Sequence, residues 1–185
     1  MFLFGEKIFL RALEPSDVEL LYQWENDPEI WQISQTLTPY SKHTLKQFVD
    51  SAKEDIFLAK QVRFMINLLH TKQTVGILDI FDIDFMNSRA GMGILIDRNF
   101  RNQEIGASAI ELAINYLFNT LLFHQVYCNI MNDNTISLKL FEKCGFSVVG
   151  VKRDWTKTQD GFKDVVLLQR INGKAIPEQS VGNVK

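Results

Sequence analysis

Arg101-Asn-Gln-Glu-Ile-Gly106 is a polar turn followed at once by the apolar run Ala107-Ser-Ala-Ile-Glu-Leu-Ala-Ile-Asn-Tyr-Leu-Phe118. A turn that enters a helix presents unpaired backbone N–H groups at the positive end of the helix dipole, a site suited to an anion such as a diphosphate. Gly106 lets the chain come close to a bound group that a Cβ would push away. An ordinary strand-to-helix connection is the competing reading, and the turn alone does not separate the two.

A second stretch with chemical content is Asn132-Asp-Asn-Thr-Ile-Ser-Leu-Lys-Leu-Phe-Glu-Lys-Cys-Gly145. Asn134 suits an N-cap and Gly145 the residue past a helix end, which brackets a helix from Thr135 to Cys144. Ser137, Phe141 and Cys144 then share one face. The candidate acids are scattered: Asp79 in a strand, Asp82 and Asp84 at its exit, and Asp27 and Glu29 further upstream. His43, His70 and His124 fall near loops or helix ends, where solvent-facing roles are commoner than catalysis. Cys128 and Cys144 have no metal-like spacing, so no metal is expected and free thiols in a reducing cytoplasm are the economical reading.

The elements that must position these residues are legible in outline. Lys7 to Leu13 reads as a strand, and Glu14-Pro15-Ser16-Asp17 as the start of a helix with Pro15 at its first position. Asn26-Asp27-Pro28 stops that helix. A second helix follows near Ser41 to Lys53. Val62 to Leu69 and Thr74 to Phe81 read as antiparallel strands, and Ala90 to Asp97 as the strand that leads into the polar turn. The helix from Ile105 to Leu122 returns the chain to a strand at Gln125 to Ile130, parallel to Ala90–Asp97. Ser147 to Trp155 and Phe162 to Ile171 form a closing hairpin around Gln159-Asp-Gly161. Residues 1–171 read as one domain and 172–185 as a polar tail that frays.

Composition sets the class. The chain has 185 residues, 46% hydrophobic and 23% charged, with a formal net charge of -2. That is an ordinary globular balance with no electrostatic reason to expect nucleic acid or an acidic membrane. Charges within the N-terminal apolar stretch argue against a signal peptide or anchor there, and the most apolar helix is interrupted by Glu111, Asn115 and Asn119. Charge is uneven, however. Up to Ile30 the acids are Glu6, Glu14, Asp17, Glu19, Glu25, Asp27 and Glu29, against Lys7 and Arg11. This is either a solvated helix face or a mouth that attracts a cationic amine.

Taken in order, three stretches resemble the GNAT family, the GCN5-related N-acetyltransferases, and more closely its RimJ/RimL and spermidine-acetyltransferase-like branch. They are Leu10-Arg-Ala-Leu-Glu-Pro-Ser-Asp17 with Trp24-Glu-Asn-Asp-Pro-Glu29, then Arg101–Gly106, and then Asn134 to Phe146. The resemblance implies a mixed α/β fold, with a central, partly splayed seven-stranded sheet flanked by about four helices. It implies acetyl-CoA as cosubstrate and direct attack of a primary amine, with both substrates bound together. The acceptor is then a small cationic amine such as a polyamine, or alternatively a protein or peptide N-terminus. A third reading is a degenerate domain that binds CoA or a partner without transfer. For this branch the resemblance also admits a homodimer.

Under that resemblance the cofactor residues are Leu95 and Ile96 at the strand end, the turn Arg101, Asn102, Gln103, Glu104, Ile105, Gly106 and Ala107, and Asn134 and Phe141. Three positions depart from the family pattern. Glu104 replaces a loop glycine, a place that admits a side chain if its φ is negative and its carboxylate points out. Phe141 stands where many relatives carry a tyrosine that protonates the thiolate, so Ser137 is the candidate donor. Gly91 stands where the branch often has a glutamate base, and no base is nominated in its place. Gly91 and Gly93 are expected either to mark a bulge where strand amides meet pantetheine or simply to make room for packing.

Overall fold

The computed structural model describes residues 2–34, 36, 38–52, 55–158 and 160–173. Among these, eight strands form one sheet: β1 (Phe2–Phe4), β2 (Ile8–Ala12), β3 (Val62–Leu68), β4 (Thr74–Asp84), β5 (Arg89–Ile96), β6 (Gln125–Met131), β7 (Ser147–Thr158) and β8 (Gly161–Ile171). The spatial order is β1-β2-β3-β4-β5-β6-β8-β7. All neighbours are antiparallel except β5 and β6, which are parallel because a helix returns the chain between them.

Six helices cover the sheet: α1 (Val18–Glu25), α2 (Pro28–Ser34), α3 (Lys42–Ser51), α4 (Ile56–Ala59), α5 (Ile105–Asn115) and α6 (Thr135–Lys143). A π-helical turn, Tyr116–Thr120, extends α5. The mixed α/β class and the splayed sheet expected from the sequence are present. The expected seven strands become eight, because Phe2–Phe4 folds back on β2, and α2 and α4 are additional short helices. The end of the helix expected to reach Lys53, and the chain beyond Gly173, lie outside the described residues.

Alternation along the strands builds a core on each face of the sheet. On one face Ile8, Leu10, Ile66, Leu78, Ile80 and Met92 pack against Ile110, Ala113 and Leu117 of the long helix and against Phe141 of α6. On the other face Met65 and Ile77 pack against Leu21 and Trp24 of α1 and Leu45 and Val49 of α3. Asp97, just past β5, accepts a hydrogen bond from Trp24 Nε1 at 3.2 Å, so the α1–α3 layer is tied to the end of β5.

Candidate active site

β5 and β6 stay paired over three residues only: Arg89 with Gln125, Ala90 with Val126 and Gly91 with Tyr127. Beyond that point Met92–Ile96 continue to pair with β4, and Cys128–Met131 with β8. The two strands therefore part, and the backbone groups on their facing edges have no partner across the opening. Such edges need hydrogen-bonding partners from a ligand or from water. The register irregularity lies on β4, between Phe81 and Asp84, and not on β5 where the glycines had pointed.

The turn into α5 lies at the open end. Asp97 caps a 3-10 turn, Arg98–Phe100, by accepting from Asn99 N at 2.9 Å. Arg101 Nε then donates to Ile96 O at 3.1 Å. Asn102 and Glu104 both adopt left-handed backbone conformations, with φ of 61° and 62°. A left-handed residue followed by a helical one forms a concave nest of N–H groups, the backbone shape that accepts phosphate. The first bond along the helix runs from Ser108 N to Glu104 O at 3.0 Å, which leaves the N–H groups of Ile105, Gly106 and Ala107 directed out of the helix start. A Cβ on Gly106 would stand 3.1 Å from Leu140 of α6, so this glycine already serves a helix–helix contact.

Glu104 differs from its sequence-based expectation in one respect and agrees in the other. Its φ is positive, a conformation that costs an L-residue and favours glycine. Its carboxylate does point away: it accepts from Lys143 Nζ at 3.0 Å and lies 3.8 Å from Lys7 Nζ. The hydrogen bond from Lys143 and the two positive charges hold Glu104 below the ordinary carboxylate range. The loop therefore carries its extra negative charge already balanced.

At α6, Asn134 Oδ1 accepts from Ser137 N at 3.2 Å, so Asn134 caps the helix as expected. Ser137 is half-buried in the first turn. Phe141 is a core residue, 3% exposed, with its ring edge-on to Phe146 at 5.0 Å. Leu95 packs toward the α1–α3 layer and Ile96 toward α5.

The face of β5 beneath the α1–α3 layer is unusually bare. Phe81 lies over Gly91, and Tyr127 meets Phe81 edge-on at 6.3 Å. The Tyr127 hydroxyl donates to Asp82 Oδ2 at 3.0 Å, and burial together with this bond pushes its pKa up to about 12. Next along the strand pair, Asp79 is directly opposite Gly93. Arg63 grips Asp79 through two bonds of 2.6 and 2.8 Å and reaches Glu25 of α1 at 2.5 Å. Burial lowers the Arg63 pKa, but the two carboxylates outweigh this and raise it above its ordinary value. This triad has no local signature in the sequence, because its members come from α1, β3 and β4.

Most of the N-terminal acid excess is neutralised locally. Asp17 pairs with Arg11 at 2.7 Å, Glu19 with Lys42 at 2.7 Å and Asp27 with Arg98 at 2.6 Å, and Glu25 joins the triad. What remains under the layer is the single net negative charge of two carboxylates around one guanidinium. His43 lies on α3, His70 in the β3–β4 turn and His124 just before β6. No group of three or more His, Cys, Asp or Glu among the described residues is arranged to hold a metal ion, and no helix among them is long and apolar enough to cross a membrane.

Comparison with known proteins agrees with this architecture. The model of the acetyltransferase (GNAT) domain family matches residues 7–147. The uncharacterized N-acetyltransferase p20 of Bacillus licheniformis is 28% identical over 166 residues, covering 89% of this chain and 93% of that protein. The spermidine N(1)-acetyltransferase of Vibrio cholerae is 23% identical over 142 residues, covering 77% and 80% of the two chains. The crystal structure of the Vibrio cholerae spermidine N-acetyltransferase in complex with CoA and spermine superposes with a TM-score of 0.81 at 22% identity, over 90% of this chain and 96% of that one. With the split sheet, the amide-lined turn and a family match over most of its length, the chain belongs to the GNAT acetyltransferase family and is an N-acetyltransferase.

Proposed function

We propose that the enzyme transfers the acetyl group of acetyl-CoA to a primary amine of a small cationic molecule, with polyamines as the leading class. The observation that carries this is the parting of β5 and β6 beyond Gly91 and Tyr127, beside the free N–H groups at the start of α5. The residues present suit the cosubstrate. The diphosphate is held by the amides of Arg101, Asn102, Gln103, Glu104, Ile105, Gly106 and Ala107, with the Arg101 guanidinium adding charge. Pantetheine lies in the opening along Leu95 and Ile96, near the Asn134 end of α6.

The reaction needs the amine close to the thioester, a donor to the carbonyl oxygen and an exit for two protons. The unpaired β5 amides supply the donor. The amine lone pair attacks the carbonyl carbon, the C–S bond breaks, and the second proton of the nitrogen passes to the thiolate through water or through the Ser137 hydroxyl, which gives up one proton as it takes another. A thiol pKa of about 8.5 makes that thiolate a fair leaving group without a strong acid. Asp79 is occupied by Arg63 and Asp82 by Tyr127, so water carries away the ammonium proton in this reading.

Charge favours a cationic acceptor through the net negative Glu25–Arg63–Asp79 triad, and the names of several relatives point the same way. The paired N-terminal acids contribute little to it. The two thiols fit a reducing cytoplasm, and the RimJ/RimL-like branch assignment and a homodimer belong to the same reading. Steady-state CoA release with polyamines, amino sugars and short peptides tests it. Preference for a peptide N-terminus overturns the polyamine assignment. Folded protein that binds acetyl-CoA by calorimetry, with Arg101→Glu weakening that binding, yet acetylates no amine would overturn transfer.

A further inference from the structure

Gly93 is a strand-interior glycine whose presence folding does not explain. It keeps regular register opposite Asp79, and its φ is outside the left-handed region. A Cβ built there meets only the Cε1 of Phe81, at 3.7 Å, an ordinary contact. Its neighbours differ. A Cβ on Gly91 would stand 2.3 Å from Phe81, and one on Gly76 2.4 Å from Leu95 O, so packing requires those two glycines. Glycine inside a strand forfeits backbone entropy and side-chain packing. A glycine that costs stability where a side chain fits marks the close approach of something outside the fold.

The direction of that approach follows from the register. Residues directly opposite one another in an antiparallel pair share a face. Asp79 therefore faces the same way as the missing Gly93 side chain. Asp79 is held by Arg63, whose guanidinium lies 5.0 Å from the Phe48 ring of α3 and bonds Glu25 of α1. The bare strip opens toward the α1–α3 layer, two residues beyond the last β5–β6 pair, where the strands have parted. One wall of it is a carboxylate side chain 31% exposed.

We propose that Gly93 is the specificity-determining position of the acceptor site: its missing side chain is the gap through which an unbranched primary alkylammonium reaches the thioester from the α1–α3 face. This rests on the transfer reaction above. Any side chain at residue 93 narrows the gap while leaving the diphosphate turn, at the far end of β5, untouched.

The test compares wild-type enzyme with Gly93→Ala and Gly93→Val, using spermidine and a short peptide as acceptors, calorimetry for acetyl-CoA, and thermal melting. A single added methyl in a fitted pocket changes discrimination by roughly tenfold or more, so the amine KM should rise about tenfold in Gly93→Ala and further in Gly93→Val. The acetyl-CoA Kd should stay constant, and both variants should melt no lower than wild type. An unchanged amine KM in Gly93→Val overturns the proposal. So does an acetyl-CoA Kd that rises with the amine KM, since the gap then belongs to the cosubstrate, and so does a lowered Tm, since the glycine is then structural. Wild-type enzyme that turns over neither acceptor overturns the reading beneath it as well; wild-type turnover with unaltered variants overturns this inference alone.

Discussion

Phe81 and Gly91 form a lock across β4 and β5: the ring fills the space of the absent side chain, 2.3 Å from where a Cβ would stand. This explains why no acidic side chain projects at this point of the strand. A carboxylate on residue 91 would have to displace a ring that also packs against Tyr127. Gly91→Ala should therefore destabilise the fold by about 1–3 kcal/mol through overpacking. In a chain of this size that lowers Tm by about 2–4 °C per kcal/mol. Adding Phe81→Leu to the variant should recover part of the loss, which a thermal-melt cycle of the single and double variants measures.

Glu104 gives the opposite expectation at a glycine-like position. Its backbone is left-handed and its side chain is bound only in exposed ion pairs, which contribute little. Glu104→Gly relieves the backbone, removes a negative charge at the helix start and frees Lys143 and Lys7 to act on an anion. Acetyl-CoA should bind more tightly to this variant at low ionic strength, and the advantage should shrink as salt is added. Calorimetry at two salt concentrations decides it, and weaker binding in the variant would show that the carboxylate helps to shape the turn.

Where the chain encodes structure locally, the sequence was readable. Alternation placed β3, β6 and β8 within a residue or two, and Asn134 capped α6 through its own side chain. In the sequence Asp27-Pro28 shows only as a stop. It is also a start, because Asp27 Oδ1 accepts from Glu29 N at 3.0 Å and Pro28 opens α2. Phe2–Phe4 is too short to show a period and becomes a strand only because it pairs with β2. The site was less legible because its contacts are long-range. Arg63 and Glu25 are 38 residues apart, and Arg98 and Asp27 are 71. An acid-rich segment looks like an attractive mouth until the distant cations that pair with it are in place. Tyr127 met Asp82 only through the irregular stretch of β4, which no periodicity announces.

The two thiols should be silent in the native protein. Burial pushes Cys128 up to about 12, and burial with the nearby Glu111 pushes Cys144 up to about 11, from an ordinary 9.0. The thiolate is the reactive form, so neither should react with a thiol reagent at pH 8 until the protein is unfolded. The same shifts fix a sign for stability. Groups with raised folded-state values hold their protons more tightly when folded, so their contribution is intact below pH 9 and is lost as pH rises toward 11–12. Tm should fall across that window, and Cys128→Val should flatten part of the fall. Rapid labelling at pH 8 in native buffer would contradict the buried placement.

Arg63 carries the largest predicted loss. It is the cation that makes two carboxylates tolerable beneath the α1–α3 layer, with the Glu25 side chain 14% and the Asp79 side chain 31% exposed. Removing one partner of a buried pair leaves the other charge uncompensated, a cost of about 3–5 kcal/mol, and the partial exposure of Asp79 places Arg63→Met near about 3 kcal/mol. A conservative variant distinguishes this from lost packing. Arg63→Lys keeps a positive charge between the two carboxylates, whereas Arg63→Met keeps only the apolar length of the side chain. Arg63→Lys should therefore recover part of the stability lost in Arg63→Met, as measured by urea denaturation. Equal losses in the two variants would mean that Arg63 acts through its contact with Phe48 rather than through charge.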